Sequence, residues 1–368
     1  MERIEKLRRR IDEIDEELVR LINERARVAS EIGDVKQQLG VGVVDPSREE
    51  EVLAHVRSAT DLVPSRDVVA VWREIMAVCK DVQGKVVRIG FLGPRGSFTD
   101  VAAHAYFPTA GSEFVPCDDV HDVFKRLEGD AVEFGVVPIE NSLQGSVRET
   151  MDLLIEKNVK IYGEVQIRVV HDLIGVAGDE PLAERLRGVT RVYSHDQALR
   201  QCQAWLRKNL PGAELHETRS TADAVRKVVE GGAPGSVAIG TRLAAELYGG
   251  RVLVESIEDN PNNYTRFLVI SKKDNLPTGR DKTSIIFVTK HVPGALYGVL
   301  KIFADLRINL LKIESRPQKQ GVWEYIFWMD FAGHVSDPNV AKALEETRKL
   351  TVWEKVLGSY PVARETFK

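Results

Sequence analysis

Cysteine is scarce in this sequence, and no two cysteines form a CxxC pair. Cys79, Cys117 and Cys202 are odd in number and far apart, which excludes a disulfide framework. Their spacing also argues against a metal or redox site built on thiolates. We therefore expect three free thiols.

The chain also lacks a surplus of either charge and any long apolar run. Its 51 basic and 55 acidic residues give a net charge of -4, so neither nucleic acid nor an anionic membrane is indicated as a partner. No stretch approaches about 18 consecutive apolar residues, and the charged start MERIEKLRRR has no apolar core of a signal peptide. We expect a cytoplasmic protein whose 368 residues form two or three domains.

The first forty residues carry apolar side chains every three or four positions, beginning with Ile4 and Leu7. This spacing predicts one helix of about 50 Å, whose apolar stripe packs on another helix of the chain or of a second subunit. Arg25 interrupts the stripe and needs an anion. At roughly 100° per residue, Lys36 shares the face of Arg25 and Arg8 does not. Arg8 is therefore expected to serve another cavity, such as that of a second subunit.

The remaining patterns predict three domains. Residues 1–84 contain the long helix and two shorter ones and form an all-α three-helix domain. Residues 86–275 alternate apolar strands with helices, which indicates an α/β domain with parallel sheets. The domain is large for one sheet, so we expect two lobes with a cleft between them, an arrangement like that of periplasmic binding proteins. Residues 282–368 follow the order βαββαβ of an α+β ferredoxin-like domain.

The helical domain offers cations and polar groups but no plausible nucleophile. Such a set can hold anions and polarise oxygen. Taken singly, most of these residues are better explained as surface salt bridges on a dimerising helix bundle, and Arg25 is the exception. The candidates are Arg8, Arg25, Lys36, Asp45, Arg48, Glu49 and Gln83.

Four segments of this domain, LRRRIDEID, ERARVASEIGDVK, VDPSRE and WREIMAVCKDVQ, resemble the all-helical chorismate mutase domain in order and spacing. The resemblance implies that Arg8 reaches the site of the other protomer. Cys79 stands where some relatives have serine. Implied catalytic residues are Arg8, Arg25, Lys36, Arg48, Glu49 and Gln83, and implied substrate-binding residues are Asp45 and Cys79.

The implied reaction is a Claisen rearrangement of chorismate to prephenate. It is pericyclic, so no proton moves and no cofactor is required. Arginines would grip the substrate carboxylates, while Lys36 and Gln83 would donate to the ether oxygen, where negative charge grows as the bond breaks.

The α/β region contains GPRGSFTD, VVPIENSLQGSV, YSHDQALRQC, RSTADAV and NPNNYTRFLVI. Each alone is consistent with a loop or a helix cap. In this order they resemble prephenate dehydratase over residues 86–271, although Asp196 replaces a usual proline. We expect Thr265 to help the ring hydroxyl of prephenate leave as water. Expected substrate-binding residues are Ser97, Thr99, Asn141, Ser142, Ser146, Thr221, Arg266 and Phe267.

Histidines at positions 171 and 195 read as hydrogen-bonded structural residues, because neither has a second ligand at metal-binding spacing. We predict no metal.

HVPGALYGVL and KIESRPQKQGVWEY in the last domain resemble the ACT regulatory domain of prephenate dehydratases. The implied ligand is phenylalanine, bound between paired domains, although a plain βαββαβ domain is an alternative. The implied phenylalanine residues are Gly294, Ala295, Leu296, Asn309, Leu310, Glu314, Ser315, Arg316 and Pro317.

Together the segments resemble the bifunctional chorismate mutase and prephenate dehydratase family over nearly the whole chain. The resemblance implies a homodimer or homotetramer that uses no cofactor and is inhibited by phenylalanine. Two alternatives remain: only one catalytic domain is active, or the chain is a non-enzymatic amino-acid sensor.

Overall fold

A computed structural model describes residues 1–38, 46–81, 86–178, 180–317 and 325–363. The chain divides into two compact units. The first comprises Met1–Arg88 and Phe107–Glu113, and the second comprises Ile89–Tyr106 and Phe114–Lys368.

Three helices dominate the first unit: α1 (Glu2–Gln38), α2 (Pro46–Ala59) and α3 (Ser65–Asp81). The all-helical domain and its long first helix are therefore confirmed. A small core joins α2 to α3 through Leu53, Val69 and Met76.

The apolar stripe of α1 is not covered by the described part of this unit. Its members are between 45% and 59% exposed, so each keeps about half of its surface in contact with solvent. These residues are Ile4, Leu7, Ile11, Ile14, Leu18, Leu21, Val28, Ile32 and Val35.

Strands and helices alternate from residue 87 to residue 271, as the sequence predicts. In chain order they are β1 (Val87–Leu92), α4 (Phe98–Tyr106), β2 (Ser112–Cys117), α5 (Val120–Glu128), β3 (Phe134–Asn141), β4 (Gly145–Ser146), α6 (Arg148–Glu156), β5 (Lys160–Arg168), β6 (Asp172–Gly175), α7 (Leu182–Arg187), β7 (Arg191–Ser194), α8 (Asp196–Gln201), α9 (Gln203–Asn209), β8 (Glu214–Glu217), α10 (Thr221–Gly231), β9 (Ser236–Gly240), α11 (Arg242–Tyr248), β10 (Arg251–Val254) and β11 (Tyr264–Ser271).

These strands form two sheets, which confirms the two-lobed prediction. The first lobe has the order β2-β1-β3-β11-β5, with β4 paired to β3, and the second lobe has the order β10-β6-β9-β7-β8. The chain leaves the first lobe after β5, builds the second, and returns to the first in β11.

The expectation of parallel sheets is only half right. β1 pairs parallel with β3, and β7 pairs parallel with β8 and β9. However, β11 is antiparallel to β3 and β5, and β6 is antiparallel to β9 and β10. The antiparallel strands are those that leave or re-enter a lobe, because such a strand is not bound by the helical crossover that makes neighbours parallel.

The C-terminal domain confirms the βαββαβ prediction. Its four-stranded antiparallel sheet has the order β13-β14-β12-β15. Its elements are β12 (Asp281–Thr289), α12 (Ala295–Asp305), β13 (Leu310–Pro317), β14 (Tyr325–Ala332), α13 (Pro338–Leu350) and β15 (Thr351–Pro361).

The two faces of this C-terminal sheet have different partners. Phe287 and Met329 pack with the helices α12 and α13 in one core. Trp328, Leu357 and Tyr360 belong to a second core that includes residues of the first lobe. At Gly358 the sheet approaches the first lobe closely, because an added Cβ would lie 2.3 Å from the carbonyl oxygen of Ile161.

Candidate functional site

The sequence motifs of the α/β region converge on the carboxyl ends of parallel strands. GPRGS follows β1 and ENS ends β3 in the first lobe, and His195 and Thr241 follow β7 and β9 in the second. Ligands of open α/β sheets bind in the crevice outside such strand ends. Because β11 runs antiparallel to β3, its beginning lies at the same edge, and Thr265 is paired with Asn141.

Within this group a hydrogen bond joins Asn141 to Thr265. Asn141 is 8% exposed, and its Nδ2 donates to Thr265 Oγ1 at 2.9 Å. Asn141 Oδ1 accepts from the backbone amides of Leu143 and Gln144, which turns Nδ2 toward the threonine. A hydroxyl has one donor and two acceptor positions. Since Asn141 takes an acceptor position, the Thr265 hydroxyl keeps its hydrogen for another group.

A hydrogen-bond chain extends from this pair toward the second lobe. Asn141 Nδ2 also donates to Asn263 Oδ1 at 2.8 Å, and Asn263 Nδ2 donates to Gln201 Oε1 at 3.1 Å. The same Gln201 oxygen lies 2.8 Å from His171 Nε2. Because an amide oxygen can only accept, His171 carries its proton on Nε2.

His171 is therefore a neutral, hydrogen-bonded residue, in agreement with the structural role expected for it. It is 2% exposed, and burial lowers its pKa. Its Nδ1 is buried without a hydrogen-bond partner in the described structure. The sequence did not identify Asn263 and Gln201 as members of this series of hydrogen bonds, although both lie inside quoted motifs. The signal that could have found them is that each is a polar residue inside a quoted motif.

Ser97 and Thr99 lie at the start of α4, in the loop that follows β1. Ser97 Oγ donates to Leu92 O at 3.1 Å, and Thr99 is buried. This loop touches the second lobe, because Thr241 Oγ1 donates to Gly96 O at 2.6 Å. The contact holds the GPRGS loop at the crevice.

The other expected substrate residues have separate surroundings. Ser142 Oγ accepts from the backbone amide of Tyr264, immediately before Thr265. Thr221 begins α10 in the second lobe, and Phe267 is buried in the first. Of the expected residues, the structure thus joins Asn141 and Thr265 directly and brings Ser142 to the same strand start.

Ser146 and the ESRP segment meet at one place. Ser146 Oγ donates to Glu314 Oε2 at 2.5 Å, and Lys312 Nζ donates to Ser146 Oγ at 3.2 Å. Arg316 Nη2 pairs with Asp152 Oδ1 at 2.5 Å. Ser146, Glu314, Asp152 and Arg316 border a cavity of about 470 Å³ between α6 and β13. A residue expected to bind substrate therefore contacts residues expected to bind phenylalanine.

Arg266 points away from Thr265 because successive side chains of a strand alternate between its two faces. Only 10% of its side chain is exposed. Nε pairs with Glu164 Oε2 at 2.7 Å and Nη2 with Asp330 Oδ2 at 2.9 Å. Lys282 Nζ also pairs with Glu164, at 2.5 Å. A buried ionic cluster therefore joins β11 to the C-terminal domain.

The remaining expected phenylalanine residues lie around the start of α12 and along β13. Gly294 caps α12 with a φ of +82°, followed by Ala295 and Leu296. Asn309 precedes β13, and its carbonyl accepts from the amide of Ala332. Leu310 packs against the helix-covered core. Along the strand Ser315 and Pro317 are exposed, whereas Glu314 and Arg316 are half-buried.

In the first unit Arg25 contacts α3. Its Nη1 donates to Cys79 Sγ at 3.0 Å, and Cys79 is 2% exposed. Arg8 is exposed, and Arg48 is exposed beside Glu51, with 2.9 Å between Nη1 and Oε2.

Some expected residues of this unit cannot be placed. Asp45 and Gln83 lie outside the described residues. Lys36 and Glu49 belong to α1 and α2, but their side chains are also outside the described part. The positions of Lys36 and Gln83, the expected donors to the ether oxygen, are therefore predictions from the sequence.

Two negative observations hold for the described ranges. No group of three or more His, Cys, Asp or Glu side chains there could hold a metal ion. None of the helices there is long and apolar enough to cross a membrane.

Comparison with known proteins matches all three parts of the chain. A family model described as prephenate dehydratase matches residues 89–275, one described as chorismate mutase type II matches residues 7–84, and one described as ACT domain matches residues 283–348.

Curated relatives and solved structures are similar over long stretches. The bifunctional chorismate mutase/prephenate dehydratase of Aquifex aeolicus is 41% identical over 368 residues, covering 99% of each chain. That of Pseudomonas aeruginosa is 40% identical, covering 98% of each chain. A prephenate dehydratase from Arthrobacter aurescens, solved in complex with L-Phe, has a TM-score of 0.67 and 35% identity, over 75% of this chain and 90% of that one.

Proposed function

The chain belongs to the bifunctional chorismate mutase/prephenate dehydratases, and from this premise we propose which residues carry its two reactions. It is an enzyme of phenylalanine biosynthesis that has both chorismate mutase and prephenate dehydratase activity.

Thr265 is the proposed catalytic residue of the dehydratase. As the ring carboxylate of prephenate leaves as carbon dioxide, its bonding electron pair enters the ring and the ring C–OH bond breaks. The departing hydroxyl needs a proton donor, and the Thr265 hydroxyl has its hydrogen available because Asn141 Nδ2 donates to its oxygen. Threonine is a weak acid, so it acts through placement. The Asn141–Thr265 contact is the observation that carries this proposal.

Replacement of the threonine tests this role. We expect Thr265→Val, which keeps the branched shape and removes the hydroxyl, to lower dehydratase kcat roughly 10²- to 10⁴-fold. Thr265→Ser should retain much of the activity, because it keeps the hydroxyl beside Asn141. Mutase activity of the same preparations is the internal control and should not change. Equal loss of both activities, or full activity of the valine variant, would contradict the assignment.

Carboxylate positioning is assigned to Ser97, Thr99, Asn141, Ser142, Ser146 and Thr221. Arg266 and Phe267, which the sequence suggested as substrate-binding residues, are instead assigned to supporting the strand, because both side chains are buried. The crevice location of the first loop and of Asn141 supports this assignment. For Ser146, the contact with Glu314 must give way before the hydroxyl can face a substrate.

The mutase site is assigned to Arg25, Arg48, Lys36, Glu49 and Gln83 of one chain, with Asp45 and Cys79 beside them, and to Arg8 of a second chain. The half-exposed stripe of α1 supports this arrangement, since a second copy would bury it. The thiol of Cys79 holds Arg25 where a substrate carboxylate could replace it as partner. A homodimer is the smallest assembly that meets this requirement, and a homotetramer would contain the same pairs.

Phenylalanine is the proposed regulator, bound by the C-terminal domain at 294–296 and 309–310. The complex of the Arthrobacter aurescens relative with L-Phe supports this ligand. The edge strand β13 exposes Leu311 and Ile313, which offers a face for pairing two such domains. The cytoplasmic location stays a prediction from the sequence.

One assay tests both activities and the regulation. We expect the purified protein to consume chorismate and release phenylpyruvate, and added phenylalanine to slow the second step. Prephenate that accumulates without phenylpyruvate would mean that only the mutase domain is active. Phenylalanine binding without any consumption of chorismate would favour a non-enzymatic sensor.

A further inference from the structure

The ionic cluster around Arg266 lies directly behind the proposed catalytic threonine. Thr265 and Arg266 are neighbours on β11, but their side chains face opposite sides of the sheet. Arg266 reaches the C-terminal domain through Asp330, at 2.9 Å, and through Tyr360, whose hydroxyl oxygen accepts from Nη2 at 3.0 Å. A residue of the regulatory domain is therefore one side chain away from the catalytic strand.

Asp330 is itself held in one orientation. Its Oδ1 accepts from Ser284 Oγ and from Trp328 Nε1, both at 2.6 Å. Its Oδ2 is thereby left for Arg266. Ser284 Oγ lies 2.6 Å from the Tyr360 hydroxyl, and since Ser284 donates to Asp330, Tyr360 donates to Ser284. The carboxylate, two hydroxyls and guanidinium form a closed ring of hydrogen bonds.

Asp330 keeps its negative charge at neutral pH. Burial raises the pKa of the Asp330 carboxyl, but the positive charges of Arg266 and Lys282 outweigh burial and leave the pKa below its usual range. Burial holds the pKa of Tyr360 well above its usual value, so it stays a neutral hydroxyl. The ring of contacts is therefore fully formed at pH 7.

At this position β11 pairs irregularly with one of its two neighbouring strands. The pairing of β11 with β3 shifts register between Arg266 and Phe267, because Arg266 pairs with Glu140 while Phe267 pairs with Pro138. Irregular pairing of this kind interrupts the regular hydrogen bonds of a sheet and changes the direction of nearby side chains. Pairing with β5 stays regular from Tyr264 to Val269, so the irregularity concerns only the side of the strand that faces β3.

We infer that Asp330, with Tyr360, is a positioning residue of the dehydratase: by holding Arg266 it fixes the backbone of β11 and the place of the Thr265 hydroxyl. The inference rests on the proposed role of Thr265. It makes the sheet of the C-terminal domain part of the catalytic scaffold, so a shift of β14 relative to β11 changes turnover.

Single and double substitutions in the full chain test this coupling, with prephenate supplied as substrate. Asp330→Asn keeps the shape of the side chain and removes one of the two buried carboxylate charges that pair with Arg266, the other being that of Glu164. We expect it to lower kcat roughly tenfold or more while KM stays within about twofold, because a misplaced catalytic group slows chemistry more than binding. Arg266→Gln should lower kcat similarly. The double variant should be no slower than Arg266→Gln alone, because Asp330 acts through Arg266.

Glu354→Gln is the matched control. Glu354 is a buried carboxylate of the same sheet, on β15, and it pairs with Arg348 of α13 at 3.3 Å. Its replacement should leave dehydratase kcat within about twofold of the parent protein. Mutase activity measures the amount of intact chain in every preparation.

Distinct outcomes separate the inference from its premise. If Thr265→Val is inactive but Asp330→Asn keeps its kcat, the positioning inference fails and the catalytic role of Thr265 stands. Additive losses in the double variant, or a change in KM alone, would also overturn the inference. If Thr265→Val is active, the premise fails. Should Asp330→Asn not fold, Tyr360→Phe removes one acceptor of Arg266 without a charge change, and an unaltered kcat there overturns the inference.

Discussion

The two units of the chain differ in how completely they enclose their polar groups. In the second unit Asn141, Asn263 and Asp330 are 8%, 1% and 1% exposed, and each has hydrogen-bond partners within the unit. In the first unit Arg8 and Arg48 are exposed, and the stripe of α1 is about half exposed.

This difference indicates how each site is built. A buried polar network that is satisfied within one chain needs no other chain to complete it. An exposed apolar stripe that an arginine interrupts lacks the second surface that would bury it. We therefore expect the dehydratase site to be complete in one chain and the mutase site to be shared between two.

A charged residue in the apolar stripe of α1 should produce the largest difference between the two activities. Leu18→Glu would place a carboxylate where the account requires a buried contact with a second copy, and an unpaired charge there is strongly unfavourable. We expect mutase activity to fall roughly 100-fold or more at micromolar protein and dehydratase activity to stay within about twofold.

Val19→Glu is the matched control for this change, because Val19 is 59% exposed and lies about 100° from Leu18 around the helix. Both activities of this variant should match the parent protein. Light scattering measures the mass of each variant, and an unchanged mutase activity of Leu18→Glu would contradict a shared site.

A substitution at Gly358 should disrupt the close packing of β15 against β5 in the second unit. A methyl group there would meet the carbonyl oxygen of Ile161 at 2.3 Å, and the φ of +153° also disfavours a side chain. We expect Gly358→Ala to lower the free energy of unfolding of the second unit by about 2 kcal/mol. Gly212→Ala, where an added Cβ meets nothing within 4 Å, is the control. Equal stability of the two variants in denaturant titrations would contradict the close approach of β15 to β5.

Acidic pH should slightly lower the free energy of unfolding of the second unit because of His171. Burial lowers its folded pKa below 6.5, so above that pH both states are neutral and the contribution is fully present. As the pH falls below 6.5 the unfolded chain binds a proton that the folded chain does not, and stability is lost. We expect the loss to be roughly 1 kcal/mol greater in the parent protein than in His171→Asn between pH 7.5 and 5.5. Equal losses in the denaturant titrations of both proteins would contradict a neutral buried His171.

Local patterns were enough to predict the helices, because the spacing of residues such as Leu7 and Leu18 reports one face of one element. Strand direction was not predictable in this way. The alternation of strands and helices suggested parallel sheets, but β11 re-enters the first lobe after a complete second lobe. That antiparallel return is what places Thr265 beside Asn141, so the error concerned a feature on which the site depends.

Long-range pairing explains what the sequence could not show at the site. Alternation along β11 predicts that Arg266 and Thr265 face opposite sides, yet it does not say that Asp330, in another domain, faces Arg266. Likewise, the VVPIENSLQGSV and ESRP segments gave Ser146 and Glu314 different expected ligands, and only the fold reveals their contact. Polar residues within motifs can be found from sequence, whereas their partners depend on tertiary packing.

Mixing two inactive variants tests the shared mutase site most directly. Arg8→Ala and Arg25→Ala chains are each expected to have little mutase activity. If Arg8 completes the site of the other chain, a mixed dimer contains one intact site, and random exchange of equal amounts should restore about a quarter of the parent activity. Dehydratase activity should be the same before and after mixing. No recovery of mutase activity after verified subunit exchange would contradict a shared site and place Arg8 in the site of its own chain.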